Sequence, residues 1–316
     1  MRLSALDCMR RGLTNLWANR ELVILQWLQG FAATLLLAVG LALPLAALGF
    51  DLAATDVLAD PNRTLPEILP RAAGRLPSLS LALAGTLVLW LLAILLHCYV
   101  QAGTYGVLLA ADRQALPGTG RSAGLFRTFS LRNFLGWAGL YGGRFFGFAN
   151  FAGLLFLLWA AGLALWMGAT LSGAAHWGET AALGIGCGGA LPLAFAFCVL
   201  GLWYGVAQAD LAREGSGVLI ASRQGLEVIG SRLGAVLLVF ALFCLALFVF
   251  LGGVSGIAFA TDLLLAGQPQ LRAAAQIGFT LLETLTQGLL LIALGGTLVA
   301  LVRSETAREA GSQWAA

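Results

Sequence analysis

An all-α polytopic fold, six membrane-crossing helices arranged as three helix pairs, is what this sequence predicts. Three observations carry that expectation. First, 59% of the 316 residues are hydrophobic and only 10% are charged, with a mean hydropathy of +0.89, whereas soluble domains carry about 25% charged residues. Second, the apolar residues fall into six blocks, at roughly 22–49, 79–110, 134–171, 181–209, 233–260 and 275–302. Each exceeds the ~20 residues that cross the hydrocarbon core as a helix. Third, arginines gather between alternate blocks, as they do in chains that thread a bilayer back and forth.

The elements follow in order. Near the N-terminus, Leu6, Met9, Leu13, Leu16 and Trp17 recur at helical spacing, with Asp7, Arg10, Arg11 and Asn15 on the other side. This pattern predicts an amphipathic helix lying in the membrane interface. The apolar run after Glu21, to about Leu48, is too long for the core of a signal peptide. The third block is too long for one simple span, so Phe134 to about Tyr141 is expected to be an interfacial approach and the span to end near Leu171. Pro44 and Pro192 lie inside blocks, where proline removes a backbone donor and kinks or shortens a helix. The segment 51–78, with Asp51, Asp56, Asp60 and Glu67, is expected to be the main external loop, and 304–316 a C-terminal tail.

Charge sets the expected orientation. Arg2, Arg10, Arg11 and Arg20 precede the first block, and Arg113, Arg121, Arg127 and Arg132 lie between the second and third. Arg213, Arg223 and Arg232 lie between the fourth and fifth, and Arg303 and Arg308 follow the sixth. The opposite face carries only Arg63, Arg71, Arg75 and Arg272. The positive-inside rule then puts both termini in the cytoplasm.

The chain also repeats itself. The second block ends in Tyr105-Gly106-Val107 and then Ala111-Asp112-Arg113, the fourth in Tyr204-Gly205-Val206 and then Ala209-Asp210 with Arg213. The sixth ends in Leu301-Val302-Arg303. Arg-bearing amphipathic segments lead into the odd blocks: Met9-Arg10-Arg11-Gly12-Leu13, Gly124-Leu125-Phe126-Arg127 and Ala221-Ser222-Arg223-Gln224-Gly225-Leu226. This predicts three units, near 4–113, 122–213 and 216–309, each an interfacial helix, a span out and a span back. Two spans per unit give all three the same orientation, a parallel repeat about an axis along the membrane normal.

From Tyr204 to Val239 the chain resembles a bacterial six-helix membrane family. That family includes the membrane domain attached to some glycerophosphodiester phosphodiesterases and many stand-alone proteins of unknown function. Asp210 at a span end, Gly215 or Gly217, Ala221-Ser222-Arg223 and Arg232 carry the likeness. The resemblance implies a fold and a membrane location. It brings no phosphodiesterase activity, because no catalytic domain is present.

Polar groups inside a bilayer are costly and by default suggest function. Glu283, beside Thr284, Thr286 and Gln287, and Arg144, near Asn150, are expected near mid-depth as a buried ion pair. His97, Gln101 and Tyr105 are spaced by four, and Tyr204, Gln208 and Asp210 sit at the matching end of the fourth block; these are candidates to line a cytoplasmic vestibule. Gly139, Gly143 and Gly147, Gly184 and Gly188, and Gly252 and Gly256 have the four-residue spacing that lets helix backbones approach, within the chain or between copies.

Two enzyme signatures are missing: the sequence holds no HExxH and no His-rich cluster. All 18 basic residues are arginine, so a P-loop and a lysine Schiff base are excluded. No metal or cofactor site is expected from two distant histidines and five scattered cysteines. A net charge of +3, spread along the chain, excludes nucleic acid as a partner. Membrane lipid, a protein partner or a second copy are the partners this leaves. Two function classes remain: a non-catalytic membrane component that organises lipid or proteins, and a small-molecule or ion transporter built on parallel repeats. A polar cavity lined by Glu283, Arg144, His97 and Gln208 would mark the second.

Overall fold

The computed structural model of the chain describes residues 3–49, 74–115, 123–213, 217–265 and 267–313. Among them every regular element is helical. Helix α1 (Ala5–Ala18) opens on a capping box: Ser4 Oγ accepts from the Asp7 amide at 3.1 Å, and the Asp7 carboxylate accepts from the Ser4 amide at 3.3 Å. The Ser4 hydroxyl also donates to that carboxylate and holds the Asp7 carboxyl below its usual pKa. Six long helices follow: α2 (Glu21–Ala47), α3 (Leu76–Gln114), α4 (Leu131–Trp177), α5 (Glu179–Leu211), α6 (Val218–Leu264) and α7 (Pro269–Gln313). All six are long and apolar enough to cross a membrane.

They pair as antiparallel hairpins. In α2/α3, an added Cβ on Gly40 would lie 2.8 Å from Trp90 Nε1, and Thr86 donates to the Gly40 carbonyl at 2.6 Å. In α4/α5, the Trp159 and Trp166 indoles donate to the Leu193 and Ile185 carbonyls. Gly178, at φ +86, makes the turn there, a backbone that favours glycine. In α6/α7, Arg272 makes two bonds to Asp262 near the hairpin tip. The α6 rod is bent at Arg232, whose φ of −136° and ψ of 30° leave the helical range and separate residues 218–231 from the span that follows.

The hairpins meet at the end of the molecule where α1 lies. There the returning helices α3, α5 and α7 pack together: Gly295 of α7 faces Tyr105 and Leu108 of α3, and Gly205 of α5 faces Leu298 of α7. Helix α1 lies across α7 so closely that a Cβ on Gly12 would meet Thr297 Oγ1 at 2.2 Å, and one on Gly296 would meet Gly12 Cα at 3.1 Å. Residues 218–231 lie likewise on α5, with Gly225 against Ala207 and the Trp203 indole donating to the Ser222 carbonyl. The short 3-10 turn Ala123–Phe126 is followed by Thr128, whose hydroxyl donates to the Val107 carbonyl of α3.

Away from this end the hairpins present apolar side chains outward. Leu165 of α4, Leu191 and Phe195 of α5 and Phe248 of α6 are 76%, 76%, 72% and 77% exposed, which only hydrocarbon solvates without cost. Helix α7 is the central mast: 56% of its most apolar stretch is buried, against none of that of α4 or α5.

Several expectations are corrected. The third block is one continuous 47-residue helix with no separate approach. A helix that long rises ~70 Å, far beyond the hydrocarbon thickness. The segment around Gly124 to Arg127 forms a 3-10 turn rather than an amphipathic α-helix. Helix α7 continues to Gln313, so most of 304–316 is helix rather than tail. Helix α5 runs through Pro192 without interruption, and α2 ends soon after Pro44. Most of the segment 51–78, with its four acids, and Arg63, Arg71 and Arg121 lie outside the described residues.

Candidate functional site: a charged hub where three helices converge

The site is built from the last turns of α3 and α5 and from the stretch of α7 around Arg303 and Glu305. Each carries a buried carboxylate there: Asp112, Asp210 and Glu305 are 2%, 1% and 3% exposed. A buried ion needs a partner of opposite charge or several hydrogen bonds. Asp112 has two arginines. Arg11 Nε of α1 lies 2.7 Å from its Oδ1, and Arg303 Nη1 of α7 lies 2.7 Å from its Oδ2. Arg11 also donates to the carbonyls of Asp112 and Ala115, both at 3.1 Å, and its guanidinium lies 5.2 Å from the Phe126 ring centre. Arg303 donates to the Asp112 carbonyl as well. Asp210 pairs with Arg213 at 3.1 Å, and Arg213 donates to Gln224 at 2.6 Å.

Neutral groups complete the hub. Asn19 is fully buried and satisfied at both ends of its amide. Its Nδ2 donates to Asn15 Oδ1 and to the Phe126 carbonyl, each at 2.8 Å, and its Oδ1 accepts from the Thr128 and Phe129 amides. Asn15 donates to the Leu108 carbonyl at 3.0 Å. Arg232, at the bend of α6, donates to Ser304 Oγ at 2.6 Å and to the Leu3 carbonyl, so one side chain holds both ends of the chain. In the middle of the convergence lies a pocket of about 110 Å³, floored by Leu109, Ala209, Val299 and Val302 and walled by Arg113, Arg213 and Arg303 with Asp210.

The structure does not bring Glu283 and Arg144 together. Arg144 donates to the Arg213 carbonyl at 3.3 Å and lies over the Tyr141 ring, whereas Glu283 accepts from Ser255 at 3.2 Å. The reason is depth. Arg144 lies beside the end of α5, at the hub, while Glu283 stands about twenty residues before Arg303, roughly 30 Å up the α7 axis.

Of the vestibule residues the structure brings Tyr105 and Gln208 together and sends the others elsewhere. Gln101 turns toward α2 and donates to Gln26 at 3.3 Å, and Gln26 donates to Thr104. Gln208 accepts from Tyr105 at 3.5 Å, in the packed centre. Asp210 belongs to the hub. His97 is half-buried on α3, and Tyr204 stacks on Phe148 with ring centres 5.3 Å apart. No polar cavity joins Glu283, Arg144, His97 and Gln208 among the described residues.

The glycine series does not make the helix contacts within this chain. An added Cβ at Gly139, Gly143, Gly184, Gly188, Gly252 or Gly256 would meet nothing within 4 Å, and at Gly147 it would meet Val218 at 3.3 Å. Gly139 and Gly143 instead line an apolar groove of about 520 Å³ between α3 and α4. The glycines that do lie against neighbours, such as Gly12, Gly103 and Gly106, fall outside the spaced pairs.

In the sequence Asp112 and Arg303 mark repeat ends and Arg232 carries the family likeness, and none of the three stands out as a site. The available signal is a carboxylate recurring toward the end of each returning helix, at Asp112, Asp210 and Glu305. The chain matches no protein-family model, no curated protein and no solved structure.

Proposed function

We propose that this chain is a non-catalytic integral membrane protein of the bacterial cytoplasmic membrane that organises lipid or partner proteins. The observation that carries this is the distribution of polar groups. They are concentrated in the hub at one end, and directly behind the hub Tyr105, Leu108, Gly205, Gly295 and Leu298 close the centre by packing. Beyond that the hairpins offer apolar faces to their surroundings. A conduit for a polar solute needs polar lining at membrane depth, and the transport reading lacks that support.

The reading takes the chain as three parallel helix pairs, each entered through a segment laid on the returning helix of another pair. Helix α1 on α7, Thr128 on α3, and residues 218–231 on α5 support that cyclic plan. The arginines of the hub support a cytoplasmic hub with both termini inside.

The test is reconstitution into sealed vesicles. Vesicles holding the protein are expected to release trapped ions and small anions no faster than empty ones, and a tag on either terminus is expected to react only from the cytoplasmic side of intact cells. Saturable flux of a defined solute would overturn the proposal in favour of transport. Termini on opposite faces would overturn the helix count.

A further inference from the structure

We infer that the pocket between the ends of α3, α5 and α7 is an anion site that takes a phosphate group. The inference deepens the lipid-organising proposal and rests on it for the lipid arm of its test. Three arginines, Arg113 of α3, Arg213 just past the end of α5 and Arg303 of α7, wall a pocket whose lining holds one carboxylate, that of Asp210. That carboxylate is bonded to Arg213. The lining itself thus holds three guanidiniums to one carboxylate, with the Asp112 carboxylate behind Arg303.

The setting strengthens the attraction. The floor is four apolar side chains, and charges beside a low-dielectric wall interact more strongly than charges in open water. The volume of about 110 Å³ corresponds to a few waters at ~30 Å³ each, the scale of a tetrahedral oxyanion. Guanidinium groups present donors in a fork that matches phosphate oxygens two at a time.

The arginines are also held in place. Arg303 is anchored by Asp112, which Arg11 grips from the other side, and Arg213 is anchored by Asp210 and Gln224. Arginine held by second groups loses less freedom on binding an anion than arginine free on a surface. Arg113 stands exposed at the rim, at the end of α3.

Two sources supply a phosphate at this level: the headgroup of an anionic phospholipid in the leaflet beside the hub, and phosphate free in the adjoining aqueous phase. The experiment uses the full chain in nanodiscs of phosphatidylcholine alone or with phosphatidylglycerol. Thermal unfolding is followed against inorganic phosphate at constant ionic strength, with chloride as the reference, and native mass spectrometry counts retained phosphatidylglycerol.

A free-phosphate site is expected to raise the midpoint saturably in both discs. A headgroup site is expected to retain phosphatidylglycerol through delipidation and to lose the phosphate response in the mixed disc. Arg113→Gln is expected to weaken half-saturation or lipid retention about tenfold or more. Arg223→Gln, on the exposed face of 218–231, is expected to change neither. Stabilisation equal in phosphate and chloride, with no retained phosphatidylglycerol, would overturn the inference, and so would an unchanged response in Arg113→Gln. Saturable phosphate flux with the site intact would instead keep this inference and remove the lipid-organising proposal.

Discussion

Arg303, near the end of α7, places its guanidinium 2.7 Å from the carboxylate of Asp112, near the end of α3 and 191 residues earlier in the chain. From the other side Arg11 reaches the same carboxylate. One acid thus ties the first helix, the first returning helix and the last.

Removing that acid leaves two arginines facing each other with their common partner gone. Breaking a buried pair from one side costs about 3–5 kcal/mol, and the partial exposure of Arg303 puts the expected loss toward the lower figure. Asp112→Asn is expected to unfold in detergent at a markedly lower temperature than the parent. A midpoint unchanged within about a degree would mean that the acid does not clamp the three helices.

Gly12 is the position where α1 can lie on α7. A Cβ there would meet the Thr297 amide at 2.6 Å and the Ala293 carbonyl at 2.7 Å, both backbone, so the helix must move away. Gly12→Val is expected to cost about 1–3 kcal/mol and to expose α1 to protease in intact vesicles. Gly139→Ala, which meets nothing within 4 Å, is expected to be neutral or slightly stabilising, since alanine favours helix over glycine by up to ~1 kcal/mol.

Cys8 reports the same docking chemically. It is fully buried, and burial pushes its thiol up to about 11. A water-soluble maleimide at pH 8 is expected to leave it unmodified in the parent and to label it in Gly12→Val. The pH dependence follows from the raised value: the folded state favours the protonated thiol. Its contribution to stability is whole below pH 9, the ordinary thiol value, and is lost as pH rises toward 11. Equal labelling of both proteins would show that α1 does not shield this thiol.

Arg144 and Glu283 are expected to be energetically independent. Singly and together, Arg144→Gln and Glu283→Gln should give unfolding changes that add within about 0.5 kcal/mol, as separate sites do. Glu283→Gln keeps an oxygen to accept from Ser255 and is expected to fold like the parent. A coupling above ~1 kcal/mol would show the two side chains in contact.

The six spans were legible because hydropathy is a property of each segment by itself. Blocks at 79–110 and 181–209 lie within helices Leu76–Gln114 and Glu179–Leu211. What the blocks hid was helix that runs on past hydrocarbon: Leu131–Trp177 keeps its hydrogen bonds beyond any plausible span, and no change in composition marks where lipid ends. The bend at Arg232 left a sign only in part, as an amphipathic stretch ahead of a hydrophobic one.

The hub was less legible because its charges pair across the chain. Nothing near Asp112 names Arg11 or Arg303 as its partner. The depth of Arg144 was misjudged for a related reason. The first turns of α4 run alongside α3, where Gly103 faces Phe134 and Gly106 faces Trp137, which puts Arg144 at the level of the hub rather than at mid-depth. The glycine spacing misled in the opposite way. Gly103 and Gly106 give up their side-chain space to aromatic rings rather than to another backbone, and no four-residue period is needed for that.

The seat of α1 on α7 has a consequence for biosynthesis. Gly12 precedes Thr297, the residue it lies against, by 285 residues, so the ribosome makes α1 well before its seat. At ~5–20 residues per second, the wait is on the order of tens of seconds. Through that interval the nascent helix must keep its apolar stripe on the lipid surface or on a chaperone, and α1 is seated only once α7 has been made.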